Sequence, residues 1–234
     1  MTTIVACPAD DIAIRRAVIE TAQAMNRLGI NVNKSGNVSA RVVSEGECGM
    51  LVTPTGVPYD ELVPDDLVFV PFGAEPSLEY ARGRRAPSSE WEMHERIYAV
   101  RPDAGAVVHT HSCFATALAC QNLPIPAFHY MVAAAGGTSV DVVPYATFGT
   151  PELARAVAEG VREKDAALLE HHGVIALGST LERALRLAHE VENLARQYVT
   201  VRQLGEPRLI DDEEMRRIVA KFRTYGQPHA LKEA

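Results

Sequence analysis

Residues 104–120 read AGAVVHTHSCFATALAC, a short apolar run that closes on two histidines and leads into a helix-like apolar segment, 113–120. The first half has the length of a buried strand, with its polar chemistry gathered at one end. His109 and His111 lie two apart on that predicted strand, so both side chains project from one face and can reach a single point. Downstream, residues 166–177 are strand-like again, and Ala167-Leu168-Leu169-Glu170 runs directly into His171-His172-Gly173. Neighbouring strand ends of one sheet can converge on a common cleft, so the two histidine clusters become candidates for one site.

The flanking sequence supplies helices to cover such a sheet. Ile14, Val18, Ala22, Met25 and Leu28 recur at helical spacing over 10–28, and Gly29 follows as a C-terminal cap. Short β-rich runs at 38–43, 50–53 and 67–70 are separated by Gly, Pro and Asp signals of hairpins. Pro87-Ser88-Ser89-Glu90 precedes a helix over 91–100, which places Glu90 at a helix N-terminus with a hydroxyl residue able to cap it. Thr150-Pro151-Glu152 opens another helix, and Ser179-Thr180-Leu181-Glu182 reads as a capping box before a long one that ends at Gly205. A final helix spans 211–222. Without repeat, linker or low-complexity tract, the pattern predicts one α/β domain over 1–234, with helices on both faces of a sheet.

Composition narrows the function classes. The 234 residues are 47% hydrophobic and 23% charged, ordinary globular values that argue against disorder. A formal net charge of −7 gives no general attraction to nucleic acid or anionic lipid, so a bound phosphate would have to be held locally. The segment 1–11 has neither a basic start nor an apolar run of membrane length, from which a cytoplasmic location is expected. Cys7, Cys48, Cys113 and Cys120 match no disulfide framework or zinc-knuckle spacing and read as reduced thiols.

A histidine pair on a strand is by itself weak evidence for a metal. A third imidazole from His171 or His172, only one of which can point inward, and the Glu90 carboxylate make an N/O donor set suited to Zn²⁺. Lacking cysteine, such a site looks catalytic, with the metal acting as a Lewis acid. His94, His129, His189 and His229 are set aside as helical or tail imidazoles. Three loops, Ser35-Gly36-Asn37-Val38-Ser39, Thr53-Pro54-Thr55-Gly56 and Ser88-Ser89, offer backbone amides without side-chain obstruction. Each alone is an ordinary turn, but Ser88-Ser89 adjoins Glu90, a small molecule's length from the candidate metal.

Taken together the motifs GNVS (36–39), TPTG (53–56), SSEW (88–91), VVHTH (107–111), HYMVAAAGG (129–137), PYATFGT (144–150), HHG (171–173) and KFRTYG (221–226) resemble the class II aldolase/adducin family over nearly the whole chain. The resemblance implies a three-layer α/β/α fold around a mostly antiparallel, mixed sheet. It also implies a homotetramer with active sites between subunits and no membrane or nucleic-acid partner. The implied reaction is the Zn²⁺-dependent, reversible aldol cleavage of a small phosphorylated sugar, a ketose 1-phosphate, to dihydroxyacetone phosphate and a small aldehyde. Carried over by motif, His109, His111 and His172 would be metal ligands, and Glu90 both a ligand and the catalytic acid/base. Gly36, Asn37, Ser39, Thr55, Gly56, Ser88 and Ser89 match the family's phosphate loops. Tyr130 matches a proton donor supplied by a neighbouring subunit, and Phe148 and Tyr225 match residues shaping the aldehyde side.

Lys34 stands where the family carries a small hydroxyl residue, and a few residues are added between Arg41 and Met50. Within the same family, epimerase and dehydratase activities are the rival reactions, and glutamate rather than aspartate at position 90 argues for aldolase over epimerase. An adducin-like, non-catalytic module would not need the ligand set.

Overall fold

Seven strands form one sheet in the order β3-β2-β1-β4-β7-β6-β5. The computed structural model describes residues 7–222. The strands are β1 (Asn37–Ser44), β2 (Glu47–Val52), β3 (Val68–Pro71), β4 (Ala106–Thr110), β5 (Val142–Val143), β6 (Ala166–Leu169) and β7 (Gly173–Gly178). Every neighbouring pair is antiparallel except β5 and β6 at one edge, which run parallel. The sheet is therefore mixed and mostly antiparallel, the α/β architecture expected.

Both faces are covered, as the nearly continuous burial of β1, β4 and β7 requires. Helices α1 (Ile12–Arg27), α3 (Cys113–Cys120) and α5 (Leu181–Leu204) pack over a core that includes Val38, Val108, Val174 and Val191. Helices α2 (Trp91–Val100) and α4 (Pro151–Gly160) cover the other face, over Met50, Val107, Ile175 and Val157. The last helix, α6 (Asp212–Phe222), buries Met215 in the first core. No described helix is long and apolar enough to cross a membrane.

Local signals account for most boundaries. Asp11 caps α1 by accepting from the amides of Ala13 and Ile14, and the Leu28 and Gly29 amides return to Ala24 and Asn26 at its end. Thr150 caps α4 with Pro151 as its first residue, as the motif predicts. At α5 the cap is Thr180, which accepts from the Arg183 amide, rather than the box beginning at Ser179. Residues 42–49 form the far part of the β1–β2 hairpin. Its two-residue turn, Glu45-Gly46, has both φ values positive (51° and 86°), the twist-matched type that favours glycine. That turn lies at the opposite end of the hairpin from Asn37 and the GNVS segment.

The residue 166–177 stretch, read from sequence as one strand-like run, is two strands. A turn at 170–172 folds β7 back onto β6, with Leu169 opposite Gly173, the His172 amide bonded to the Leu169 carbonyl and His171 at φ 55°. The apolar runs on either side are alike, and only the polar Glu170-His171-His172 and Gly173 between them mark the break.

One buried carboxylate pins the arginine-rich segment after β3. Asp66 accepts from the Val63 amide (3.0 Å) and from Nε of both Arg84 and Arg85 (2.9 Å each), and its side chain is 2% exposed. The Arg85 hydrogen bond above all holds its pKa down to about 2. A depressed carboxylate pKa stabilises the fold fully above the unfolded value near 4 and loses that contribution as pH falls towards 2. Asp66→Asn is expected to cost roughly 1 to 3 kcal/mol at pH 7, nearer the lower end because both arginines are half exposed. The deficit should shrink between pH 4 and pH 2; urea titrations at pH 7 and pH 3 measure both.

Candidate metal centre and active site

The site forms where β4 ends. Asn37 of β1 pairs with His109 of β4, and His109 pairs in turn with Ile175 of β7, so Asn37 and His109 share the face covered by α2. Glycine at position 36 is required by this approach, because a Cβ there would lie 2.3 Å from the His109 carbonyl oxygen. His111 follows one residue beyond β4, and His172 enters from the β6–β7 turn.

The three rings meet edge to face, with centroids 4.8 to 5.0 Å apart. Their ligating nitrogens lie within 4.8 Å of one another, and Nε2 of His109 and His111 are 3.0 Å apart. His109 Nδ1 lies 2.8 Å from the Val174 carbonyl, which only accepts, so Nδ1 carries the proton and Nε2 presents a bare lone pair. Burial pushes the His109 pKa down to about 3 and that of His172 to about 4, and lowers that of His111, so the rings are neutral ligands near pH 7.

Glu90 completes the set from the N-cap position of α2. Its Oε2 lies 3.3 Å from His109 Nε2 and its Oε1 3.2 Å from His172 Nε2. Sequence leads one to expect a hydroxyl cap here, but α2 has no side-chain cap bond; instead the Glu90 amide donates to Ser88 Oγ and the Trp91 amide to the Ser88 carbonyl. The carboxylate is left for the site. Oε2 accepts from Asn37 Nδ2 at 2.9 Å, whereas the buried Oε1 has no hydrogen-bond partner. A buried carboxylate oxygen without a donor, beside three converged imidazoles, fits a cation.

His171, which the family motif leaves outside the ligand set, turns away: its backbone is left-handed and its ring faces Tyr145 at 6.0 Å. Glu170 of the same turn accepts from the Tyr145 amide, which ties the loop carrying Phe148 to the histidine turn. That loop also approaches the phosphate motif, since a side chain at Gly149 would meet the Ser89 carbonyl at 3.1 Å.

The three loops do come together. The Ser88 amide donates to the Thr53 carbonyl, the Thr55 amide to that of Ala86, and Lys34 Nζ to the Gly56 carbonyl at 2.8 Å. These bonds also take up amides that sequence had offered to an anion, as do the Ser88 contacts at the start of α2. Lys34, Ser35, Thr55, Gly56 and Ser89 are exposed members of the cluster. Ser39 is fully buried, with Oγ 2.7 Å from His94 Nδ1 and 2.9 Å from the Tyr98 hydroxyl, so it faces α2 rather than the loops. Tyr130 opens a short 3-10 turn and is 51% exposed, as is Phe148 at 65%. Tyr225 and His229 lie outside the described residues.

Two supporting residues escape a motif reading. Glu192 of α5 is buried and accepts from the Phe114 and Ala115 amides at 2.9 Å, capping α3 just after His111. His94, set aside as an ordinary helical imidazole, is fully buried against Asn37. Its four-residue spacing from Glu90 is the signal that could have revealed it.

Fold and site define a class of protein: residues 16–199 match the model of the Class II Aldolase and Adducin N-terminal domain, and the chain belongs to the class II aldolase family. It is 48% identical over 219 residues to a 5-methylthioribulose-1-phosphate/5-deoxyribulose-1-phosphate aldolase of Rhodospirillum rubrum, covering 94% of this chain and 95% of that protein. It is 46% identical over 214 residues to an L-fuculose phosphate aldolase of Escherichia coli K12, covering 91% and 95%. A solved L-fuculose 1-phosphate aldolase superposes with a TM-score of 0.84 at 35% identity, over 91% of this chain and 97% of that one.

Proposed function

We propose that the protein cleaves a ketose 1-phosphate reversibly to dihydroxyacetone phosphate and a small aldehyde, with L-fuculose 1-phosphate as the reference substrate. The observation that carries this reading is the partnerless Glu90 Oε1 among three neutral imidazoles. His109, His111 and His172, with Glu90, would hold one Zn²⁺ per subunit, and when bound it supplies Lewis-acid stabilisation of the charge left as the C3–C4 bond breaks. Glu90 moves the proton at C3 of the dihydroxyacetone phosphate half. Tyr130 of a neighbouring subunit takes the C4 hydroxyl proton in cleavage and returns it to the aldehyde oxygen in synthesis. Phe148 and Tyr225 shape the aldehyde side, and a homotetramer supplies such side chains to adjacent sites.

The phosphate is held at the clustered loops by the Gly36-Asn37, Thr55-Gly56 and Ser88-Ser89 segments. The Lys34 ammonium lies close enough to Gly56 to add charge that a hydroxyl would lack. Ser39 belongs to this set by motif only, since its hydroxyl is engaged behind the site.

Relatives named for a 5-deoxypentulose 1-phosphate are as similar to this chain as those named for L-fuculose phosphate, which favours a second reading with that substrate. The two ketoses differ by little surface, and a methylene changes kcat/KM only about 10- to 200-fold. Dihydroxyacetone phosphate release from L-fuculose, 5-deoxyribulose and 5-methylthioribulose 1-phosphates decides between them. Release that stops on chelation and returns with zinc is expected for at least one; release from none, with epimerisation of L-ribulose 5-phosphate instead, would overturn the aldolase reading.

A further inference from the structure

Behind Glu90, the interface between β1 and α2 carries an unbroken line of buried polar side chains, and beyond Asn37 the proposed chemistry gives them no part. Asn37 and Ser39 alternate along one face of β1, while Glu90, His94 and Tyr98 recur every four residues along α2. Two residues of strand advance about 6.8 Å and four residues of helix about 6 Å, so the rows stay in step over these rungs. Asn37 Nδ2 lies 2.9 Å from Glu90 Oε2, His94 Nε2 2.5 Å from Asn37 Oδ1, Ser39 Oγ 2.7 Å from His94 Nδ1, and the Tyr98 hydroxyl 2.9 Å from Ser39 Oγ. All five side chains are at most 6% exposed.

Donor and acceptor chemistry gives this line one direction. An ionised Glu90 only accepts, so Asn37 must turn its amide nitrogen towards it and its oxygen towards His94. His94 therefore carries its proton on Nε2, and Nδ1 must accept from Ser39. The Ser39 hydroxyl has one proton, now committed, so Tyr98 donates to Ser39. Reversing any one rung would set two donors or two acceptors against each other in a dry interface, leaving buried polar groups unsatisfied.

We infer that Tyr98, Ser39 and His94 are positioning residues that lock the Asn37 amide against flipping, so that Glu90 is gripped at Oε2 and keeps Oε1 bare towards His172. Mutual satisfaction of buried polar groups would by itself explain each hydrogen bond. It does not explain why the line ends on a carboxylate whose second oxygen has no donor and faces the three imidazoles. The inference rests on the reading of Glu90 as the proton-transferring group.

Long-range ¹H–¹⁵N correlation on the metal-free, ¹⁵N-labelled protein tests the direction without recourse to activity. His94 should show a protonated Nε2 and a bare, accepting Nδ1; the opposite tautomer, or an imidazolium, overturns the inference. Kinetics on the zinc-loaded enzyme supply the second arm. His94→Phe keeps bulk but removes the donor, and should lower kcat about 10- to 100-fold, the usual scale for such supporting partners, with KM little changed. His94→Gln, whose amide can still donate to Asn37, should recover most of the loss. Equal losses in the two variants, or a rise in KM in place of a fall in kcat, would reduce His94 to packing and overturn the inference. Should His94→Phe not fold, Ser39→Ala replaces it: both His94 tautomers should then appear and kcat fall, and an unchanged tautomer counts against the lock. A wild-type protein that cleaves no ketose 1-phosphate removes the proposed function, while the tautomer still decides the direction of the line.

Discussion

His111→Ala is expected to lower kcat/KM for ketose 1-phosphate cleavage by at least about 10³-fold, because the Lewis acid carries several kcal/mol of transition-state stabilisation. His111 is the cleanest ligand to remove. It is only partly buried, whereas His109 is fully enclosed and bonded to the Val174 carbonyl, so its loss would disturb the sheet as well as the site. The variant should keep its thermal transition and lose metal, measured as zinc per subunit after gel filtration. Partial rescue by added zinc would follow from the two imidazoles and the carboxylate that remain. Full activity with a metal-free site would instead separate the three-histidine cluster from the chemistry.

Glu90→Gln is expected to lower kcat by about 10² to 10⁴, the range for a positioned proton-transfer group, with a smaller effect on KM. Glutamine still accepts from Asn37 through its oxygen and keeps the volume, but turns an amide towards His172 where the bare oxygen stood. Detritiation of dihydroxyacetone phosphate labelled at C3 isolates this step, since no aldehyde takes part. Exchange should stop in Glu90→Gln while zinc content stays near that of wild type. Undiminished exchange would transfer the proton-moving role to another group.

Much of this site could be read one-dimensionally because its strongest signals are local. Period-two spacing placed His109 and His111 on one face, and both emerge on the side covered by α2. The Pro87-Ser88-Ser89-Glu90 run located the start of α2, because a helix end must be announced by residues beside it. The division of 166–177 into β6 and β7 was marked only by the polar Glu170-His171-His172-Gly173 stretch, which by composition suits a strand end as well as a tight turn between two strands. Spacing left His171 and His172 equivalent and only the family motif favoured His172; the turn supplies the reason, since the left-handed backbone at 171 sends the two side chains in different directions.

The phosphate loops show the limit in another form. Their Gly, Ser, Thr and Asn content was visible, but which amides remain open depends on partners 30 or more residues away, such as Ala86 for Thr55 and Thr53 for Ser88. The displacement of Ser39 from that group has the same origin, because its hydroxyl is claimed by His94 and Tyr98 across the β1–α2 contact.

What the sequence by itself determined is therefore the order and kind of the main elements, the donor types of the site and the family motifs, all carried by spacing along the chain. Tertiary structure alone decided how the turn aims His172 inward and His171 away, which oxygen of Glu90 is left without a donor, and that His94 stands behind Asn37. Those outcomes depend on directional contacts between β1, α2, β4 and the 170–172 turn, and hydrogen-bond geometry exists only once the sheet has brought distant residues within about 3 Å of one another.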